Sequence, residues 1–92
     1  MDGDRYSILD LDMGGYVVSV THLNPKQSTL GHRHNWEECY YFASVIGRME
    51  IGEEIKGVSM GQFKFVPPGV HHRVFNDSLM TLSFVCVWGK EG

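Results

Sequence analysis
Gly31-His32-Arg33-His34-Asn35-Trp36-Glu37-Glu38 reads as an extended stretch that turns into the apolar strand Cys39-Tyr40-Tyr41-Phe42. Alternate residues of an extended chain point to the same side, so His32 and His34 present their rings together. Two imidazoles about 7 Å apart along a backbone can reach one ion. Glu38 opens the following strand and offers a carboxylate as a further ligand. A second group, Pro67-Pro68-Gly69-Val70-His71-His72-Arg73, is again a turn leading into a strand that bears imidazole. A His-x-His pair alone is a weak sign of a metal. Two such groups beside turns, with a carboxylate nearby, match the mixed His/carboxylate shells that divalent transition metals prefer.

Outward from these groups, glycine and proline cut the chain into short pieces rich in Val, Ile, Tyr, Phe and Thr. Strands are expected at Tyr6–Leu11, Tyr16–Leu23, Glu38–Val45, Arg48–Ile51, Gln62–Val66, His71–Asn76 and Met80–Trp88. Short strands at this spacing, without a capped helical stripe, indicate an all-β sandwich or barrel. In the last strand Met80, Leu82, Phe84, Cys86 and Trp88 share one face. The other face, Thr81, Ser83, Val85 and Val87, is smaller but still mostly apolar, so both sides are expected to be covered.

Ninety-two residues fit one domain, and 42% hydrophobic content argues against disorder. Eight basic against eleven acidic residues give a net charge of −3, which does not suit a nucleic-acid-binding surface. No apolar run approaches the ~20 residues of a membrane span, and no secretory leader precedes Asp2–Asp4. Cys39 and Cys86 are too few for a disulfide framework, and each lies in an apolar stretch. They are expected to be buried reduced thiols in a cytoplasmic chain. A domain this small buries its own surface only marginally, so a metal or a partner subunit is expected to add stability.

The two histidine groups resemble the motifs of the small single-domain cupins. The first motif of that family, G-x5-H-x-H-x3-E-x6-G, is matched at its ligand positions by His32, His34 and Glu38 within residues 26–47. The second, G-x5-P-x-G-x2-H-x3-N, is matched by Gly61, Pro67, Gly69, His72 and Asn76. Two departures stand out. Lys26 occupies the opening glycine position, bringing a cation towards the mouth of the site. Gly47 closes the first motif two residues late, with Val45 at the usual place, implying a longer or bulged hairpin over Phe42–Gly47.

The resemblance implies a double-stranded β-helix (jelly-roll) barrel over residues 1–92, holding one divalent transition metal (Mn, Fe, Zn, Ni, Co or Cu) on His32, His34, Glu38 and His72. Tyr40 is either a group that acts on substrate or a wall residue with a satisfied hydroxyl. His22, sharing a side with Tyr16, Val18 and Val20, is a second candidate, with a satisfied core histidine as the alternative. Phe42, Phe65, Trp88 and Trp36 are candidate pocket residues. Parity turns His71, Arg73 and Arg33 away from the metal, Asn76 is expected to hold a turn, and Gly52-Glu53-Glu54 reads as a solvated hairpin turn.

An ion in such a shell acts as a Lewis acid or acidifies water, and as Fe(II) it also permits dioxygen chemistry. Three functions therefore stand side by side, because fold does not select among them. They are a metal-dependent isomerase or lyase acting on a small polar compound such as a sugar acid or hydroxy-keto compound, a non-haem iron dioxygenase, and a non-catalytic metal- or ligand-binding domain. The partners expected are a small-molecule substrate and, from the two-sided apolar last strand and the habit of related cupins, a second copy of the chain.

Overall fold
The computed structural model describes residues 6–44 and 46–89. They form eight strands in the order β1 Tyr6–Asp12, β2 Tyr16–Leu23, β3 Glu38–Phe42, β4 Ile46–Ile51, β5 Glu54–Ser59, β6 Phe63–Val66, β7 His72–Phe75 and β8 Leu82–Gly89. There is no helix among the described residues, and so none long and apolar enough to cross a membrane. A five-stranded sheet, β1-β2-β8-β3-β6, faces a three-stranded sheet, β5-β4-β7, and every pairing is antiparallel. The all-β architecture expected from the strand spacing is observed, in the jelly-roll form that the family resemblance implied.

Register explains the layering. Alternation places one residue in two of each strand inward, and the antiparallel ladders align these in rows across the large sheet. One row runs Val17, Trp88, Glu38 and Val66, the next Asp10, Ser19, Cys86 and Tyr40, and the third Ile8, Thr21, Phe84 and Phe42. Below them Leu23 pairs with Leu82. Leu23, Phe42 and Leu82 meet Met49, Val58 and Val74 of the small sheet in one core. Each such fully buried side chain contributes about 1.5–3 kcal/mol relative to exposure.

Several sequence expectations change. The Phe42–Gly47 segment is not a hairpin: β3 pairs with β6 and β8, whereas β4 pairs with β5 and β7, so the chain passes here from one sheet to the other. Val45 lies outside the described residues. Gly47 is needed for a different reason, since a Cβ there would stand 2.5 Å from the Phe75 carbonyl oxygen of the crossing backbone. An unexpected strand, β5, follows the two-residue turn at Gly52-Glu53, where Gly52 takes φ of 61° as a tight hairpin requires. Glu53 and Glu54 are exposed, as read from the sequence. Met80 lies before β8 in an exposed turn. Cys86 is buried, but Cys39 is exposed, because it sits between the inward Glu38 and Tyr40.

Asn76 and Lys26 hold the ends of the sheets. Asn76 is 1% exposed, and its amide nitrogen donates to the carbonyls of Leu23, Asn24 and Met80. Lys26 adopts φ of 62°, the left-handed conformation for which glycine is the easy choice. Its ammonium donates to the Asp77 carbonyl at 2.6 Å, so the cation is tied to a loop and does not line the histidine cavity.

Candidate metal centre
Backbone pairing brings the two histidine groups together. His32 and His72 exchange reciprocal hydrogen bonds, 3.0 Å from the His32 amide and 2.8 Å from the His72 amide. Residues paired in this way point their side chains to the same side. The turn of the second group adds a bond from the Gly69 amide to the His34 carbonyl. Ser28 bridges to Phe75 and Thr29 bonds to Val74, so the stretch before His32 runs as an irregular edge along β7. Arg73 secures it from outside through Thr29 O and Ser28 Oγ.

The outcome is convergence. His32, His34 and His72 place one ring nitrogen each within 4.8 Å of one another. Glu38 joins them, with Oε1 3.0 Å from His72 Nε2 and Oε2 3.7 Å from His34 Nε2. His72 and Glu38 are nearly sealed from solvent, each 4% exposed.

The donor set suits a metal because of how His72 is held. Its Nδ1 lies 3.1 Å from the Val70 carbonyl, which can only accept, so Nδ1 carries the proton. In its neutral form the ring then turns the lone pair of Nε2 towards the cluster. That nitrogen is buried, and despite its nearness to Glu38 it has no well-directed hydrogen bond. Fixing a ligand's outer nitrogen to a carbonyl is the usual way a metal-binding histidine is oriented.

Glu38 is oriented too. Trp36 Nε1 donates to its Oε2 at 3.2 Å and the Tyr40 hydroxyl to its Oε1 at 3.1 Å. Burial pushes the Glu38 pKa up, but the His72 ring 3.0 Å away, the Trp36 bond and the charge of His34 outweigh it, so the carboxyl ends below its ordinary range. For His72 burial works downward, and the Glu38 and Val70 oxygens turn the net shift upward. Burial, then repulsion from His34 and His72, lowers His32. Burial first, with Cys86 and Glu38 adding, raises Tyr40 far above the ordinary phenol value, so its hydroxyl remains a donor.

A cavity of about 180 Å³ opens over this cluster, and Tyr40 and Trp88 are among its walls. The other candidates sit elsewhere. Trp36 stacks on His34, with centroids 4.6 Å apart and planes 5° from parallel, so it backs that ring and does not line the cavity. Phe42 lies in the core, packed on Tyr40 and Phe84. Phe65 pairs with the outward Cys39 and is 55% exposed. His22 points outward from β2, is exposed, and bonds Ser83 Oγ at 2.7 Å, so it takes no part in the cavity. His71 faces away as parity required, with Nε2 2.9 Å from Glu50 Oε1.

Residues that the sequence reading missed also line the cavity: Asp10, Ser19, Thr21 and Thr29. A signal for two of them existed, because Ser19 and Thr21 alternate with Val18 and Val20 along β2. The polar set is the inward one.

A family model described as a cupin domain matches residues 19–88. Among solved structures, a Klebsiella pneumoniae protein with a double-stranded β-helix domain is 22% identical, covers 100% of this chain and 84% of its own, and has a TM-score of 0.89. An RmlC-like cupin from Shewanella frigidimarina is 16% identical over 97% of this chain and 81% of its own, with a TM-score of 0.84. A predicted oxalate decarboxylase from Thermotoga maritima is 20% identical over 91% of this chain and 79% of its own, with a TM-score of 0.85. No curated protein sequence matches the chain.

Proposed function
The chain belongs to the cupin family, and from that premise we propose that it is a metal-dependent isomerase or lyase acting on a small polar substrate, such as a sugar acid or a hydroxy-keto compound. The observation that carries this reading is the meeting of His32, His34 and His72 beside Glu38 at the base of a small cavity. A divalent transition ion held by these four residues would act as a Lewis acid towards a carbonyl or hydroxyl oxygen. Tyr40 and Trp36 fix the Glu38 carboxylate in direction, and His72, with Trp36 and His34, holds its pKa below the ordinary range. Tyr40 itself serves as a donor and not as a base. The Thermotoga maritima neighbour supports the lyase side of the proposal.

A second reading, a non-haem iron dioxygenase, is favoured by the apolar remainder of the wall, where Ile8, Val74, Phe84 and Trp88 surround the polar groups. Elemental analysis of protein purified without added metal separates the two. Manganese, zinc, nickel or cobalt at one ion per chain supports the Lewis-acid reading, and iron supports the dioxygenase. Failure to bind any divalent ion tightly overturns both.

The domain is proposed to span residues 1–92, although the family match begins at residue 19. The support is β1, which pairs with residues 17–23 of β2 and lends Asp10 to the cavity. A homodimer is supported by the outer face of the large sheet, where Leu9, Leu11, Val87, Tyr41, Phe63 and Phe65 leave large apolar side chains exposed. Equilibrium sedimentation checks it, and a monomer at all concentrations refutes it. Two unpaired thiols, one exposed, support a reducing, cytoplasmic setting.

A further inference from the structure
Asp10, Ser19 and Thr21 stand on the β1–β2 side of the cavity and play no part in holding the histidine cluster. Ser19 and Thr21 are only 5% and 4% exposed, while Asp10 lines the cavity from an exposed position on β1, and neither hydroxyl nor the Asp10 carboxylate bonds to another described residue. A nearly buried hydroxyl without a protein partner is poised for a partner inside the cavity. Asp10 and Ser19 face each other in register, in the same row as Tyr40. Their strands are followed by β8 and then β3, so Asp10 is about 14 Å across the curved sheet from the strand of Glu38, at about 4.8 Å per strand.

Charge narrows what can lie between. The ionisable wall residues besides the histidines include the acids Asp10 and Glu38, and no Lys or Arg is among the described residues lining the cavity. A carboxylate or phosphate at the Asp10 end would meet like charge with no cation to offset it. A hydroxyl there would donate a charge-assisted bond to the carboxylate. The volume of about 180 Å³ admits a molecule on the order of six to ten non-hydrogen atoms.

We propose that Asp10, with Ser19 beside it, is a specificity-determining residue that accepts a hydrogen bond from a hydroxyl at the ligand end remote from the histidines, so that the cavity selects compounds whose remote end is an uncharged hydroxyl over those whose remote end is a carboxylate or phosphate. This rests on the reading of the histidine cluster as a metal site. It deepens that reading by assigning the two ends of the ligand: a metal-binding group, which a sugar acid would supply with its carboxylate, and an uncharged hydroxylated tail.

Three probes test it on Co(II)-loaded protein, followed by the fluorescence of Trp88 and Trp36: acetohydroxamate, 4-hydroxybutanohydroxamate and succinate monohydroxamate. The expected result is that the hydroxyl tail binds about tenfold more tightly than the carboxylate tail, with Asp10→Asn reducing that ratio to about threefold or less. Acetohydroxamate, which has no tail, should bind both proteins equally. Equal affinity for the two tails, or a ratio unchanged in D10N, overturns the role of Asp10 while leaving the metal reading in place. If acetohydroxamate itself does not bind, the metal reading fails and the Asp10 proposal falls with it.

Discussion

Replacing Asn76 with Ala is expected to cost about 2–4 kcal/mol of folding stability. The side chain is 1% exposed, and its nitrogen serves the carbonyls of Leu23 at 3.0 Å, Asn24 at 3.1 Å and Met80 at 2.7 Å. Its oxygen accepts from the Ser78 amide at 3.0 Å and the Ser78 hydroxyl at 2.7 Å. Leu23 is fully buried, so water cannot replace the lost donor at that carbonyl. A buried group left unsatisfied costs about 1–3 kcal/mol, and that loss at the Leu23 carbonyl plus about 1 kcal/mol for the remaining bonds sets the range given. A domain of this length has roughly 5–14 kcal/mol in all. The melting temperature should therefore fall by roughly 10–30 °C. Urea unfolding followed by tryptophan fluorescence measures the loss, and an unchanged m-value shows that the same surface is exposed.

Asn76→Asp isolates the hydrogen bonds from the packing, since the shape is kept. At pH 7 it should be at least as damaging as the alanine variant, because a carboxylate would face three carbonyl oxygens. Burial and those oxygens would raise the new acid's folded-state pKa above its unfolded value. Stability should then recover as pH falls, when the protonated acid can donate one bond. A loss below about 1 kcal/mol for N76A, or wild-type stability for N76D at pH 7, would refute the reasoning.

Other outcomes follow from the site and the strands. His72→Ala and His32→Ala should each abolish tight metal binding, whereas His71→Ala, which loses only the outer contact to Glu50, should keep the metal stoichiometry by elemental analysis. Trp36→Phe keeps the stack on His34 but removes the bond to Glu38, and should weaken metal affinity about tenfold by competition with a chromophoric chelator. Gly47→Ala forces a Cβ against the Phe75 carbonyl and should cost about 1–3 kcal/mol in urea unfolding, while Gly57→Ala, whose nearest atom is 4.0 Å away, should cost far less. In metal-free protein the Glu38–His72 pair should show in thermal melts against pH. The lowered Glu38 contributes stability above about pH 4.5 that is lost as pH falls through its folded value, and the raised His72 contributes stability below about pH 6.5 that is lost as pH rises through its folded value. Glu38→Gln should flatten both limbs, with the opposing fall from the lowered His32 remaining; an unchanged profile would count against the pair.

The candidate ligands were legible because the relevant information is local. Alternation puts His32 and His34 on one side of an extended segment, and the spacing to Glu38 and from Gly61 to Asn76 repeats a family pattern. The outward facing of His71 followed from the same alternation. Both readings of His22, as a site residue and as a core histidine, failed for a definite reason. On β2 the apolar side, Val18 and Val20, looks like the inner one, but here the interior holds a polar cavity and takes Ser19 and Thr21 instead. Cys39 and Phe65 went the same way, both on outer positions of apolar strands.

Spacing and alternation along the chain therefore determined the strand class, the candidate ligand set and the parity of each neighbour, because these depend only on residues close in sequence. Pairing partners, and which side of each strand faces in, depend on contacts between distant segments. Only the tertiary structure could decide that Phe42 and Ile46 belong to different sheets, that Gly47 makes room for the Phe75 backbone, and that Asp10 of β1 shares a cavity with His72 of β7. A period of two fixes that neighbours alternate but not which set is buried; that choice is made by what the opposite sheet presents.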